Sequence, residues 1–517
     1  MADEVGSGRV AELTVALSLA TDLGTGQPMD HGLRTCWLSL RVSESLGLDA
    51  TTRSCVYYVA LLRFLGCTSD ASEIAALAGG DDVAFNATMA PALMAPAGEG
   101  MRHFLRHLAE DLPAHRRAGR IAKALADPGL AARSSSGHCE VGARLARRLG
   151  LDDAVCHALA HAFERWDGKG HPAGLAGDEV PVAVRIVAAA RDAEMFHRQA
   201  GWAAAAEVLS RRRGSGYDPT VVDALTSDGR RWLAEVDDDP CARVLDAEPR
   251  PMRTIADVQL DASLHAMADF TDLKSPWFRG HSAGVADLAV AAAEAAGLSA
   301  EDSVRLGRAA LVHDIGQVGI ASGIWDHPGR LTAEQWERVR LHAYLSERVL
   351  RRCSLLAPFA DVAAGHHERA DGSGYHRGVT RDQLDVSARL LSTADAYHAM
   401  TDERPYRPAF SAADAASRLR AEADEGRFGT AEVDAVLGSA GHVRRPVKAA
   451  HPAGLTDREV EVLRLIARGY ANKQAAAKLG IATKTVGRHV EHIYAKAGVA
   501  TRAGATLFAM EQGLLSP

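Results

Sequence analysis

Along most of the chain, apolar residues return at three- and four-residue spacing. Ala and Leu dominate them, β-branched runs are few, and no Asn-Gly hairpin signal occurs. That periodicity predicts helices throughout and an all-α fold. Thr456, followed three positions later by Glu459, reads as a capping box that opens a helix over 455–463. Residues 467–473 predict a turn into a second helix. A tight turn at 480–483 then leads to a third helix over Thr483–Ala497. Helix, short glycine turn, helix is a helix-turn-helix arrangement. The apolar run 285–296 is broken by Asp287 and Glu294, so no membrane span is expected. The pattern lapses twice. Residues 237–251 are acidic and then proline-rich, and 441–454 are basic and uncapped. Both read as linkers, which gives domains over 10–236, 252–440 and 453–517.

The first of these domains recurs in the second. His31, Gly47-Leu48 and Gly66 match His281, Gly297-Leu298 and Gly316 at an offset of 250. His138, Glu164-Arg165, Asp167-Gly168 and Arg185 match His342, Glu368-Arg369, Asp371-Gly372 and Arg389 at an offset of 204. A single net insertion in the first copy, between Gly66 and His138, accounts for the step.

The second copy carries the candidate chemistry. His313-Asp314 lies in the largely apolar run 310–316. Two polar ligating groups inside a hydrophobic element need a partner that offsets their desolvation, and a divalent metal does so. His281, His342, His366, His367 and Asp395 complete a set of seven imidazoles and carboxylates suited to Fe, Mn, Zn or Co. Asp314 can bridge two ions because a carboxylate offers two oxygens. His313 and Asp395 would complete one ion and His342, His366 and His367 the other, with His281 entering from the preceding helix. Two ions about 3.5–4 Å apart can activate water toward phosphorus and neutralise the phosphoryl oxygens.

In order and spacing, His281, His313-Asp314, His342, His366-His367, the stretch 368–375 and Asp395 resemble the HD-GYP family of metal-dependent phosphohydrolases. The resemblance implies an all-helical HD fold and hydrolysis of a cyclic dinucleotide such as cyclic di-GMP, with His313 and Asp314 at the catalytic centre. A binuclear site is expected, because Trp277 stands four positions before His281, where trinuclear members present an acidic ligand. Lys274, Arg369, Asp371, Tyr375 and Arg377 are the candidate substrate contacts. Two positions depart from the family pattern. Gln317 stands where HDIGK has its Lys, and His376 where GYP has its Pro. The first change removes a positive charge that would help hold a substrate phosphate. The alternative reading is therefore a weak or inactive nucleotide receptor.

The first copy has lost the ligands. Arg63-Phe64 replaces His313-Asp314, Ala162-Phe163 replaces His366-His367, and Arg191 replaces Asp395; only His31 and His138 remain. Phe at two former ligand positions predicts a cavity filled by apolar side chains. This degenerate HD domain is expected to be a packing or dimerisation partner, with a sensory pocket for a small ligand as the alternative.

The C-terminal segments LTDREVEVL, GYANKQAAAKLGI, TVGRHVEHIYAKAGV and TRAGA resemble the LuxR-type DNA-binding domain. The resemblance implies a four-helix domain bound to double-stranded DNA. Lys484, Thr485, Arg488 and His489 would face the major groove. Asn472, Lys473 and Lys496 would meet phosphates, and Val486, Val490 and Ile493 would form the inner face. One such domain binds weakly, so a homodimer is expected, with 503–514 as its candidate helix.

Composition narrows the rest. At a net charge of −7 over 517 residues, any DNA affinity must be local. Seven cysteines, odd in number and without CxxC pairing, read as reduced thiols in a cytoplasmic protein. The N-terminus lacks a signal-peptide pattern. Taken together, a cytoplasmic transcription regulator with a phosphohydrolase-like sensor module is expected.

Overall fold

A computed structural model describes residues 8–110, 112–127, 129–236, 238–441 and 451–515. They are predominantly helical. The strands among them, Gly8–Arg9 and Thr254–Ile255, form one short antiparallel ribbon. No helix among the described residues is long and apolar enough to cross a membrane. The chain forms two compact units: one runs to Ser263 and includes Ala321–Gly323, and the other comprises the remainder from Leu264.

In the first unit, α1 (Val10–Gly24) is buried along nearly its whole length and packs on α2 (His31–Ser45) and α3 (Ala50–Leu62). Then come α4 (Leu130–Arg148), α5 (Asp153–Ala160) and α6 (Val182–Ala200), the last lying against α2 and α3. The insertion between α3 and α4 folds as four short helices, Ala71–Ala78, Asp82–Met89, Ala97–His107 and Ala114–Leu125.

The stretch expected to be the first linker belongs to this unit. Helix Pro240–Asp246 packs on α2 with Cys241 and Val244 buried. The buried Glu248 carboxylate accepts from Tyr58 Oη at 2.6 Å and Arg9 Nε at 2.9 Å. A buried carboxylate holds only with such donors, and the sequence places them 190 and 239 positions away.

The second unit repeats the plan with α7 (His281–Ala295), α8 (Ala300–Val312), α9 (Ala333–Leu350), α10 (Ala360–Ala364) and α11 (Val386–Thr401). Helices α7 and α8 have the same lengths as α2 and α3, 15 and 13 residues. Two glycines show why the copies coincide. A Cβ on Gly66 would lie 2.0 Å from the carbonyl oxygen of His138, and one on Gly316 would lie 2.2 Å from that of His342. Only a residue without a side chain lets those helices approach so closely.

The C-terminal helices are α12 (Asp457–Ala467), α13 (Asn472–Leu479), α14 (Thr483–Ala497) and α15 (Arg502–Glu511). Thr456 and Glu459 form the expected capping box. Most of the second expected linker, 442–450, lies outside the described residues.

Candidate metal centre and DNA-binding surface

Helix α8 ends at Val312, so His313 and Asp314 sit where it opens into the tight turn Ile315–Gly319. His281 begins α7, His342 lies on the buried face of α9, His366-His367 follow α10, and Asp395 lies on the buried face of α11. The structure brings all seven predicted ligands together, with Asp314 at the centre. Its Oδ1 faces His342 Nε2 at 3.3 Å and His366 Nε2 at 3.2 Å. Its Oδ2 faces His313 Nε2 at 3.3 Å and His281 Nε2 at 4.0 Å. Asp395 closes the cluster, 3.1 Å from His281 Nε2 and 3.6 Å from His367 Nδ1. Two ligand groups therefore share Asp314: one adds His342, His366 and His367, the other His281 and His313.

The rings are aimed by their own helices. Nδ1 of His313, His342 and His366 each donates to the carbonyl three residues back, Ala310 at 2.6 Å, Val339 at 2.5 Å and Ala363 at 2.5 Å. That bond fixes the tautomer and leaves each Nε2 lone pair directed inward. His313 Nε2 and Asp314 Oδ1 are buried without a hydrogen-bond partner. His342 Nε2 and His366 Nε2 converge to 3.1 Å. Burial pushes the Asp314 carboxyl up, but His313, His342 and His366 more than offset this and hold it well below the usual carboxylate range. Inward lone pairs around an ionised, buried carboxylate fit divalent metal.

The sequence reading missed His398 and Asp402. His281 Nδ1, the nitrogen turned away from Asp314, lies 3.1 Å from His398 Nδ1 and 3.6 Å from Asp402 Oδ2. His398 Nδ1 is itself 3.2 Å from Asp402 Oδ2. Asp395, His398 and Asp402 fall on one face of α11 and its C-cap, and that spacing was the available signal. A carboxylate behind a ligating imidazole orients the ring.

A cavity of about 670 Å³ reaches His281, Asp314, His342, His367 and Asp395. Of the expected substrate contacts, only Tyr375 lines it, its ring 4.3 Å from that of His367. The other four are placed elsewhere. Lys274 is fully buried away from the cavity wall. Arg369 lies over Phe428 and donates to Ser392 Oγ and the Glu368 carbonyl. Asp371 ties its own loop through Ser373. Arg377 pairs with Glu347 at 2.6 Å. Each charge has found a partner inside the fold, and residue type alone does not reveal that. The wall instead presents Gln317, Arg330, Trp277, Trp325, Trp336 and Tyr406. Gln317 is buried, and its Nε2 has no hydrogen-bond partner.

In the helix-turn-helix, Gly480 supplies the left-handed turn at φ 66°. Lys473, Lys484, Thr485 and Arg488 are exposed, while Asn472 and His489 are half-buried. Val486 and Ile493 are fully buried, but Val490 only partly. Lys496 is not free for phosphate: its Nζ pairs with Glu459 Oε2 at 2.6 Å and donates to the Gly454 carbonyl. The expected dimer helix stops at Glu511, and residues 504–510 are buried in succession. It offers no open face of that length to a second copy.

The sequence matches the HD domain family over residues 132–221 and 265–431, and the bacterial regulatory proteins of the luxR family over 453–509. It is 30% identical over 409 residues to a 3'3'-cGAMP-specific phosphodiesterase 3 of Vibrio cholerae, covering 77% of this chain and 88% of that one. A cyclic di-GMP phosphodiesterase of Pseudomonas aeruginosa is 36% identical over 140 residues, 27% of this chain and 34% of its own. The crystal structure of a cyclic GMP-AMP-specific phosphodiesterase of V. cholerae superposes with a TM-score of 0.60 at 26% identity, over 84% of this chain and 98% of that one. With this ligand set, repeated scaffold and C-terminal helices, the chain belongs to the HD-GYP family of HD-domain proteins and carries a luxR-family domain at its C-terminal end.

Proposed function

We propose that the second copy hydrolyses a phosphodiester of a cyclic dinucleotide, such as cyclic di-GMP or 3'3'-cGAMP, and that occupancy of its site alters DNA binding by the luxR-family domain. The observation that carries this reading is Asp314, whose two oxygens face two histidine groups at the base of an aromatic-walled cavity. The volume of about 670 Å³ is in the range of small-molecule sites.

His281, His313, Asp314, His342, His366, His367 and Asp395 would hold two divalent ions, Fe, Mn or another transition metal. Such ions lower the pKa of water and neutralise charge on phosphoryl oxygens. The chain's own part is placement. The bonds from Nδ1 to backbone carbonyls aim the Nε2 atoms of three imidazoles at the centre. Tyr375, Trp336 and Tyr406 offer flat faces to the bases. Gln317 Nε2 offers a neutral donor to a non-bridging phosphoryl oxygen, and Arg330 is an exposed cation at the rim.

Coupling is supported by a shared segment. Arg404 lines the cavity, and its neighbour Glu403 accepts from Tyr470 Oη at 3.1 Å, in the turn between α12 and α13. Lys484, Thr485, Arg488 and His489 would read base edges while Asn472 and Lys473 meet phosphates, in a cytoplasmic homodimer. A receptor with weak or absent turnover is the second reading, favoured by Gln317, which puts a neutral amide where an ammonium is expected.

The test is turnover of cyclic di-GMP and 3'3'-cGAMP by protein loaded anaerobically with Fe(II) or Mn(II), beside the His313→Ala/Asp314→Ala double variant. Metal-dependent product, absent from the variant, is expected. Metal bound without product from either nucleotide would overturn the hydrolase reading and favour the receptor.

A further inference from the structure

The first copy keeps a cavity where the second has its candidate metal centre, and arginines stand at two of the former ligand positions. Arg63 stands at the position of His313, and Arg191 at that of Asp395. Both are buried, each 3% exposed. Arg191 Nη1 donates to the Ala90 carbonyl at 2.7 Å and to Asp192 at 2.5 Å. Asp192 is shared with Arg212 at 3.3 Å, and Arg212 also pairs with Glu99 at 2.8 Å. For Arg63, the side-chain contact is a weak one, Met94 Sδ at 3.9 Å. Its Nε and Nη1, and Nε of Arg191, are buried without a hydrogen-bond partner. Burial and the neighbouring Arg191 push the Arg63 guanidinium down to about 10, which still leaves it charged near neutrality. Uncompensated buried cations are costly, and a bound anion removes that cost.

The surroundings suit an oxyanion. Arg191 lines a cavity of about 140 Å³ with Thr25, Gln27, Ser134, Ser135 and Asn86. Gln27 Oε1 accepts from Arg198, which leaves its amide N–H groups as donors. Arg63 lies against the rings of Phe64 and Phe163, which form part of the same wall. The insertion, absent from the second copy, supplies Asn86, Met89 and Ala90 and so encloses the space. One lining group opposes an anion. Asp70 also lines the cavity, though loss of hydration pushes its carboxyl up to about 7. The space is far smaller than the 670 Å³ of the second-copy cavity and leaves no room for a dinucleotide.

We propose that this cavity binds a phosphate-sized oxyanion, either inorganic phosphate or the phosphate end of a small phosphomonoester. The Arg191 guanidinium lines the cavity and would meet the phosphoryl oxygens, with Arg63 packed on the Phe64 and Phe163 rings of the wall adding positive charge nearby. The assignment uses residues of the first unit alone and does not depend on turnover at the second.

Calorimetric titration tests it, with inorganic phosphate and separately with GMP, at constant ionic strength in chloride. The protein is the full-length His313→Ala/Asp314→Ala chain, freed of metal so that the second copy does not compete. Saturable binding at one site is expected, weakened at least about tenfold by Arg63→Gln or Arg191→Gln. Ser135→Leu, which fills the cavity without altering either arginine, is expected to abolish it. Binding of phosphate supports the free ion as ligand, and binding of GMP alone supports the phosphomonoester. No saturable binding of either, or equal binding by the folded Gln and Leu variants, overturns the proposal.

Discussion

The two copies present one scaffold with two chemistries. Helices α2 and α7 both begin at a buried histidine, and each histidine keeps a partner on the side of its ring away from the site. His31 Nδ1 pairs with Glu194, which also takes Arg198. At the matching positions, His281 Nδ1 meets His398 and Asp402. Both copies also keep the glycine that lets the next ligand-bearing helix approach. Apart from the insertion, what differs at the site lies at the inward ends. In the first copy His138 Nε2 bonds the Arg63 carbonyl at 3.0 Å, and the rings of Phe64 and Phe163 pack around it at 6.0 and 4.8 Å. Burial lowers His138 to about 4, so it stays neutral. In the second copy the equivalent His342 faces Asp314. The fold tolerates the exchange because its helices are set by packing along their flanks, while the site lives on a few side-chain tips.

The comparison can be pressed by substitution. The largest effect is expected from His313→Ala/Asp314→Ala, which should remove bound metal and reduce turnover to background while helicity and DNA binding persist. Metal analysis and a gel shift measure both, and a full complement of metal in the variant would sink the assignment.

Next come the glycines. Gly66→Ala and Gly316→Ala should each destabilise their own unit by about 1–3 kcal/mol or more, since a methyl group would meet backbone oxygen. Only Gly316→Ala should also weaken metal binding, because it displaces the helix bearing His342. Thermal unfolding beside metal titration separates the two, and equal metal loss in Gly66→Ala would contradict the division of labour.

His398→Ala or Asp402→Asn should weaken metal affinity about 10–100-fold without unfolding the protein, as loss of an orienting partner does. Unchanged affinity in both would mean that His281 is held by other means.

The smallest effect is expected of Gln317→Lys, which restores the family's cation. It should lower the KM for a cyclic dinucleotide several-fold and leave metal content unchanged. A KM that does not move would show that position 317 does not meet the phosphate.

Much of this was legible in the sequence. The offsets of 250 and 204 marked helices that begin in step, His31 with His281, Ala50 with Ala300 and Val182 with Val386, and the insertion falls where the offset steps. The capping box at Thr456 is local and was read correctly for that reason. The convergence of the seven His and Asp side chains was legible because buried polar groups in apolar helices need an explanation. Three of the charged residues are engaged elsewhere in the fold. Lys496, Arg369 and Arg377 look like phosphate contacts by type, yet each is taken up by a carboxylate, hydroxyl or carbonyl brought from elsewhere in the fold. The acidic, proline-rich stretch 237–251 read as a linker, but the donors for Glu248 come from the start of the chain.

By itself, then, the sequence determined helix positions, the duplication, which copy retained the candidate ligands and where the helices of the luxR-family domain lie. Those properties follow from local periodicity and residue type. Only the tertiary structure decided that Asp314 sits between two histidine groups, that His398 and Asp402 stand behind His281, and that Gln317 and the aromatic residues line the cavity. It also decided that the first copy keeps a small cavity beside two poorly satisfied arginines. The physical reason is that a site is a convergence of side-chain tips from segments far apart in the chain. Neither the direction of a tip nor the partner that claims it is encoded in the spacing of its own helix.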